Sequence, residues 1–159
     1  MPGVADTIYL SPDAHARLTA EHEHLTKIWR TEIARKIQAA REMGDLKENG
    51  DYHAAKEEQG QQEARIRTIA ATLEAAEIVD TVDTSVVGHL TVVTVDFGGG
   101  DLETYLIGSI EEQPEGVDLL TPVSPLGAAL LGRAVGDEVE YEANGNTLTV
   151  TITEIRANA

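Results

Sequence analysis

The 159-residue sequence contains no cysteine, and its aromatic residues are few: one tryptophan, one phenylalanine and four tyrosines. Without cysteine the chain forms no disulfides and offers no thiolate to zinc. Few aromatic side chains leave little surface on which nucleobases could stack. No segment approaches the roughly 20 apolar residues that a membrane-spanning helix needs. The first residues also show neither a basic start nor an apolar stretch of signal-peptide length, so we expect a soluble cytoplasmic protein.

Positive charge is scarce as well. The sequence has 12 lysines and arginines against 28 aspartates and glutamates, which gives a formal net charge of −16. A chain this acidic does not wrap duplex or single-stranded nucleic acid by neutralising its phosphates. Basic protein surfaces and cations are the partners that this charge favours. The length and a hydrophobic content of 42% suffice for one domain, or two small ones, with a packed core.

Charge and turn-forming residues divide the chain into two halves. Residues 1–80 carry 15 acids and 10 bases, whereas residues 81–159 carry 13 acids and only two bases. The last lysine is Lys56, and prolines and turn-forming glycines concentrate after position 97. We therefore predict two domains, residues 1–80 and 81–159.

The first half predicts two long helices. Ser11 followed by Pro12 is a typical start, because serine caps the first turn and proline fits the first helical position. Residues of one face then recur at steps of three and four, the period of helices that pack against each other. A short break at residues 44–50 separates the helices, so we expect an antiparallel helical hairpin with Trp29 in its core. The predicted contact positions are Leu25, Trp29, Ile33, Ile37 and Ala40 in the first helix, and Tyr52, Ala55, Gln59, Gln62, Ile66, Ile69, Leu73 and Ala76 in the second.

The second half predicts a small antiparallel sheet. Apolar residues alternate with threonine along residues 147–153 and with glutamate along residues 138–142, which is the period of a half-buried strand. Asn144-Gly145 is a hairpin turn signal between these two strands. A second pair of strands, residues 86–97 and 102–110, is joined by three glycines and an aspartate.

One short helix is predicted between the two strand pairs. Ser124-Pro125 provides its cap and its first-turn proline, and Gly132 ends it. Together with the helical hairpin, a sheet carrying one helix makes an α+β fold. The strand with Glu138, Glu140 and Glu142 is expected to turn these acids to solvent.

The break between the long helices, Gly44-Asp45-Leu46-Lys47-Glu48-Asn49-Gly50-Asp51, crowds three carboxylates together. Asp45 and Glu48 are three residues apart and therefore lie on the same side of a helix or turn. Two carboxylates are too few to cage Mg²⁺, so the tip is expected to bind the ion weakly unless another macromolecule supplies further ligands. A solvated polar turn also accounts for these residues, since aspartate, asparagine and glycine are common turn formers.

A calcium-binding loop that starts at Asp45 is excluded. Lys47 occupies the third position of such a loop and Lys56 the twelfth, where an EF-hand requires oxygen ligands. A lysine in place of the bidentate glutamate would repel the ion.

The tip and the residues after it resemble a known family. Residues 44–49 (Gly-Asp-Leu-Lys-Glu-Asn) and 51–59 (Asp-Tyr-His-Ala-Ala-Lys-Glu-Glu-Gln) are similar to the tip of bacterial Gre transcript-cleavage factors of the GreA type. The pattern Ser-Pro-Leu-Gly…Leu-Leu-Gly…Val-Gly-Asp-Glu-Val across residues 124–139 extends the resemblance into the second half. The family has the same order of domains, a helical hairpin followed by an FKBP-like domain.

The resemblance implies a transcription elongation factor that is not itself an enzyme. In that family the hairpin enters the secondary channel of RNA polymerase after the 3′ end of a backtracked transcript has been extruded. The tip carboxylates, here Asp45 and Glu48, help to hold Mg²⁺ and a water in the polymerase active site. The polymerase then cleaves the RNA by two-metal chemistry. The Mg²⁺ is thus held jointly with the polymerase.

The resemblance also implies which residues contact the partners. A basic patch at Arg41 and Lys56, with Lys47 as a further candidate, is expected to steer the 3′ end of the backtracked RNA. The FKBP-like domain is expected to dock on a polymerase coiled coil at the channel rim through contacts around Ser124 and Pro125. A monomer without membrane contact is expected.

Three departures from the family pattern leave other functions open. Gly50-Asp51 replaces a common Ala-Glu and makes the tip looser, Val123 replaces a common acid or amide, and Ala128 replaces a common base. A regulator that binds the channel and inhibits transcription without stimulating cleavage is therefore a second hypothesis. A third hypothesis, a free-standing prolyl isomerase or chaperone, is suggested only by the FKBP-like resemblance, and the scarcity of aromatic residues argues against it.

Overall fold

The computed structural model describes residues 7–45 and 49–158. Nowhere in those ranges does a helix combine the length and the apolar character that crossing a membrane requires. The α+β class predicted from the sequence is confirmed, because a long helical hairpin precedes a sheet that carries one short helix.

The described residues form two compact units. One unit is residues 15–75, and the other joins residues 7–14 to residues 76–158. This grouping differs from the expected division at residue 80, because strand β1 (Ile8–Leu10) pairs in parallel with strand β2 (Ala76–Ile78). The two segments that flank the hairpin in sequence therefore belong with the sheet domain.

The helical hairpin contains four segments. They are α1 (Pro12–His24), a π-helical segment (Leu25–Trp29), α2 (Arg30–Arg41) and α3 (Gly50–Ala75). The predicted start is confirmed, since the Ser11 hydroxyl accepts a hydrogen bond from the Ala14 N–H at 3.1 Å and Pro12 is the first helical residue.

Ion pairs between the arms of the hairpin define their direction. Glu21 pairs with Arg65 at 2.7 Å, and Lys36 pairs with Glu58 at 3.2 Å. Because the residue number rises on one arm as it falls on the other, the arms are antiparallel, as predicted.

The buried positions of the hairpin largely follow the predicted seam. All five predicted contact residues of the first arm are buried. On the second arm Ala55, Ile66 and Ile69 are buried, while Gln59 and Gln62 are partly exposed. The seam prediction was wrong at Leu73, which is partly exposed, because the neighbouring Thr72 takes the buried position.

The π-helical segment explains how the first arm keeps its apolar residues on one side. Leu25, Trp29, Ile33 and Ile37 are spaced by four residues, which exceeds the 3.6 residues of an α-helical turn. In a regular α-helix these side chains would drift progressively around the axis. The wider turn of a π-helix absorbs part of that drift, and all four side chains are buried.

The second unit contains a five-stranded sheet with the strand order β5-β4-β3-β7-β6. Its strands are β3 (Thr91–Asp96), β4 (Leu102–Ile107), β5 (Asp118–Leu120), β6 (Glu138–Ala143) and β7 (Asn146–Ala157). The prediction of a wholly antiparallel sheet was wrong in one place, since β4 and β5 pair in parallel. Segment 108–117 carries the chain back alongside β4, so that β5 begins with Asp118 opposite Tyr105 and runs in the same direction as β4.

The predicted turns and the short helix of this unit are confirmed. Asn144 and Gly145 both have positive φ, 55° and 80°, as a two-residue turn matched to the strand twist requires. The helix α4 (Pro125–Leu130) begins after Ser124, which caps it. Glu138, Glu140 and Glu142 are exposed, as predicted. Apolar side chains between the sheet and α4 make the core: Val87, Val93, Val95, Ile107, Leu126, Leu130, Val139, Val150 and Ile152.

A buried carboxylate of the sheet unit is satisfied by Ser11 of the same unit. Glu112 is 7% exposed and accepts hydrogen bonds from the Ser11 N–H at 2.9 Å and the Ser11 hydroxyl at 2.7 Å. Ser11 thus caps α1 with its oxygen while its own donors satisfy Glu112, so burial of that acid is compensated.

Candidate functional site

The hairpin tip is built by the end of α2 and the start of α3. The Met43 N–H donates to the Ala40 carbonyl at 3.2 Å, and Gly44 then takes a φ of +125°, which a residue with a side chain rarely adopts. Asp45 follows at once and is exposed. With Asp51 and Asn49, Asp45 lines an open hollow at the end of the hairpin. The tip prediction also names Lys47 and Glu48, which lie outside the described residues.

Asn49 links the two helices at the tip. Its side-chain Oδ1 accepts the Tyr52 N–H at 3.1 Å, which caps α3, and its Nδ2 donates to the Ala40 carbonyl. The cap could have been predicted, because asparagine before a helix is a preferred capping residue. The bridge to Ala40 has no local signal in the sequence, since it depends on how the two arms meet.

The cations nearest the tip differ from several cations farther along the hairpin. Away from the tip, four bases form ion pairs with acids: Lys27 with Glu23, Arg30 with Glu63, Lys36 with Glu58 and Arg65 with Glu21. Nearer the tip, exposed Arg41 has no acidic partner among the described residues, and exposed Lys56 donates to the neutral Gln59 at 3.0 Å. Two of the three predicted patch residues are therefore exposed and unneutralised.

The pKa values of the paired acids reflect these contacts. The hydrogen bond from Arg65 lowers the pKa of Glu21, and that from Arg30 lowers the pKa of Glu63. The pKa of Glu58 is lowered first by the hydrogen bond from the Trp29 indole N–H and then by that from Lys36. The paired cations away from the tip thus stabilise the ionised form of acids on the same hairpin.

The predicted docking residues lie at the start of α4. The Ser124 hydroxyl donates to the Thr121 carbonyl at 2.7 Å and accepts the Gly127 N–H at 3.1 Å. A Cβ on Gly127 would lie 2.0 Å from the Thr121 oxygen, so only glycine fits there. Ser124 therefore shapes the loop with its hydroxyl, and exposed Pro125 begins the helix.

An apolar depression adjoins this loop. Val123 is 89% exposed and Ile110 is 75% exposed, and both line the depression. Tyr9 and His89 also line it, and their rings stack with centroids 4.2 Å apart. Burial lowers the pKa of His89, since burial disfavours the charged imidazolium. Exposed apolar side chains beside a rigid loop are typical of a protein-binding surface.

The described residues offer few ligands to a metal ion. No group of three or more histidine, aspartate or glutamate side chains in residues 7–45 and 49–158 is arranged to hold one. Exposed carboxylates such as Asp45 have the oxygen donors that Mg²⁺ prefers.

Comparison with known proteins identifies the family. Residues 8–78 match the family model described as the N-terminal domain of transcription elongation factors, and residues 82–157 match the model of the GreA/GreB C-terminal domain. The chain belongs to the GreA/GreB family of transcription elongation factors. The resemblance inferred from the tip and from residues 124–139 is therefore confirmed.

Curated relatives match over nearly the whole chain. The transcription elongation factor GreA of Streptomyces coelicolor is 45% identical over 148 residues, covering 91% of this chain and 90% of the relative. GreA of Rhodococcus erythropolis is 44% identical over 150 residues, covering 91% of each. The match to a solved structure of Gfh1 from Thermus thermophilus covers 95% of this chain and 99% of the Gfh1 chain, with 24% sequence identity and a TM-score of 0.45.

Proposed function

We propose that this family member enters the secondary channel of RNA polymerase tip first and stimulates cleavage of the 3′ RNA in backtracked or arrested complexes. The polymerase performs the cleavage with its own Mg²⁺-dependent activity, and the factor supplies carboxylates. One observation carries the proposal: Asp45 is exposed at the end of a hairpin whose described tip cations, Arg41 and Lys56, are exposed without an acidic partner among the described residues.

In this proposal the tip acids contribute ligands to the polymerase active site. Asp45 and Glu48 would hold a Mg²⁺ ion jointly with polymerase residues and orient a water beside it. When bound, the ion stabilises charge on the attacking and leaving oxygens of the phosphodiester. The exposed position of Asp45 supports this role, because its carboxylate can approach a partner without unfolding of the tip.

The tip cations are proposed to contact the extruded RNA. Arg41 and Lys56, with Lys47, would attract the phosphates of the single strand as it leaves the polymerase active site. The ion pairs of Lys27, Arg30, Lys36 and Arg65 with acids weaken the attraction of these four bases for RNA phosphates. This distribution reconciles a net charge of −16 with an RNA contact.

The sheet domain is proposed to dock on the polymerase coiled coil at the channel rim. The loop that Ser124 fixes, with Pro125 and the apolar Val123 exposed on it, would make the contact. Docking at the rim would align the hairpin with the channel. The factor is proposed to act as a monomer.

The test is RNA release from purified backtracked complexes. We expect the double variant Asp45→Ala with Glu48→Ala to reduce cleavage at least about tenfold, the scale seen when metal-site groups are removed. Glu57→Ala, an exposed acid on α3, is the matched control and is expected to cleave like the wild type. Cleavage by the double variant at the wild-type rate would overturn the proposed mechanism.

The second candidate function is inhibition by occupation of the channel. Exposed Val123 and Ala128 favour it, because an apolar docking surface could hold the tip away from the active site. In the same assay this function would appear as polymerase binding and slowed nucleotide addition without released 3′ fragments.

A further inference from the structure

The side chain of Asn49 makes two hydrogen bonds that close the break between α2 and α3. Its Oδ1 accepts the Tyr52 N–H in the first turn of α3, and its Nδ2 donates to the Ala40 carbonyl nine residues earlier, in the last turn of α2. The Asn49 carbonyl also accepts the His53 N–H at 3.1 Å. One partly buried residue thus fixes both ends of the segment that carries Asp45.

We propose that Asn49 is a positioning residue for the carboxylate of Asp45, an inference that rests on the proposed function. Asp45 lies five residues after Ala40 and lines the same hollow as Asn49. The carbonyls in the last turn of a helix lack partners within the helix. The Ala40 carbonyl accepts the Met43 N–H from the following turn. By donating to the same oxygen from the start of α3, Asn49 fixes the distance between the two helix ends, and so limits the positions that Asp45 can adopt.

The chemistry of this bridge requires asparagine. Serine, threonine and aspartate also cap helices with a side-chain oxygen, but an amide adds an N–H donor on the same short side chain. Aspartate at this position would keep the cap of α3 and place a negative oxygen against the Ala40 carbonyl. The cap and the bridge can therefore be separated by a single substitution.

The experiment measures cleavage in backtracked complexes as a function of Mg²⁺ concentration for Asn49→Asp, Asn49→Ala and Ser11→Ala. Ser11→Ala removes the equivalent cap of α1 and is the matched control for lost helix stability. Thermal unfolding and competition for polymerase binding are measured on the same proteins. Asp45→Ala is assayed alongside them.

We expect Asn49→Asp to bind polymerase like the wild type and to lose some stability from the oxygen placed against the Ala40 carbonyl, while its cleavage at limiting Mg²⁺ falls about tenfold, as for groups that orient metal ligands. Its Mg²⁺ requirement should rise, and Asn49→Ala should show the same defect with reduced stability. Ser11→Ala should lose stability and keep the wild-type Mg²⁺ requirement.

The proposal is overturned if Asn49→Asp cleaves at the wild-type rate with the wild-type Mg²⁺ requirement. It is also overturned if Ser11→Ala raises the Mg²⁺ requirement equally, because the effect would then follow from stability alone. If Asp45→Ala itself retains full cleavage, the proposed function fails and the role of Asn49 fails with it. Loss of cleavage by Asp45→Ala but not by Asn49→Asp removes only the positioning role.

Discussion

The indole N–H of Trp29 donates a hydrogen bond to Glu58 across the two arms of the hairpin, with 3.2 Å between Nε1 and Oε2. The other carboxylate oxygen of Glu58 accepts from Lys36 at the same distance. Trp29 is 9% exposed, so its ring fills the seam while its polar atom reaches the edge. Trp29, the only tryptophan of the sequence, therefore contributes a large buried ring to this part of the hairpin.

Substitution of Trp29 is predicted to destabilise the hairpin in two steps. Trp29→Phe keeps most of the buried ring but removes the donor to Glu58, so we expect a modest fall in the free energy of unfolding. Trp29→Ala also leaves a cavity, and we expect a loss of about 3 kcal/mol or more. Urea unfolding followed by far-UV circular dichroism measures both, because tryptophan fluorescence is absent from the variants. Equal stability of the two variants would contradict the packing role.

His89 is predicted to make stability depend on pH. Burial lowers its pKa in the folded chain, whereas the unfolded chain takes up a proton near the ordinary histidine value of about 6.5. The unfolded state therefore binds more protons in the window just below 6.5. The contribution of His89 is fully present above that value and is lost as the pH falls towards the lower folded pKa.

The measurement is the difference in free energy of unfolding between the wild type and His89→Gln from pH 7.5 to pH 5. We expect the wild type to lose more stability than the variant as the pH falls. Exposed His24, substituted in the same way, is the matched control and should reproduce the wild-type slope. A His89→Gln slope equal to that of the wild type would show that the stacked ring does not govern this dependence.

Arg41 is predicted to contact RNA phosphate. Its replacement by alanine should weaken the salt dependence of cleavage, because one fewer counterion is released from the RNA. The slope of log efficiency against log salt should change by about 0.7 for a single-stranded contact. Lys27→Ala is the control, since Lys27 already pairs with Glu23 at 2.9 Å. An unchanged slope for Arg41→Ala would remove Arg41 from the patch.

Val123 is predicted to contribute to polymerase binding without contributing to stability. Because its side chain is 89% exposed, Val123→Ser should leave unfolding unchanged to within about 0.5 kcal/mol. Burial of the valine against a partner is worth about 1.5 kcal/mol, so affinity for polymerase should fall about tenfold. Val135→Ser, at another exposed apolar position, is the control. Equal affinities of the two variants would place the docking surface elsewhere.

Local signals in the sequence predicted most of the fold. Ser11-Pro12, Ser124-Pro125 and Asn144-Gly145 each set a helix start or a turn through their own backbone and side-chain chemistry. The seam of the first arm was readable because five residues repeat on one face. Strands β1, β2 and β5 were not predicted, because three residues are too few to show a period and their pairing depends on distant segments.

The candidate site could also be predicted only where local signals in the sequence define it. The positions of Asp45, Arg41 and Lys56 near the tip could be predicted, because the hairpin could be inferred from its period and its break. The contact between Ser11 and buried Glu112 joins residues 101 apart in the sequence. The amide bridge from Asn49 to Ala40 spans only nine residues, but it forms only once the ends of α2 and α3 meet. Such contacts are consequences of assembled elements, and no local pattern encodes them.

The π-helical segment Leu25–Trp29 also has a directional consequence. It accommodates one additional residue within an otherwise continuous helix. Deletion of one residue there, such as the half-exposed Ile28, would let the helix close as an ordinary α-helix. Because a π-helical turn takes about one residue more than an α-helical turn, the side chains beyond the deletion would keep nearly the same direction around the axis. The π-helical segment therefore lets the first arm hold one additional residue without turning Arg41 to another face of the hairpin.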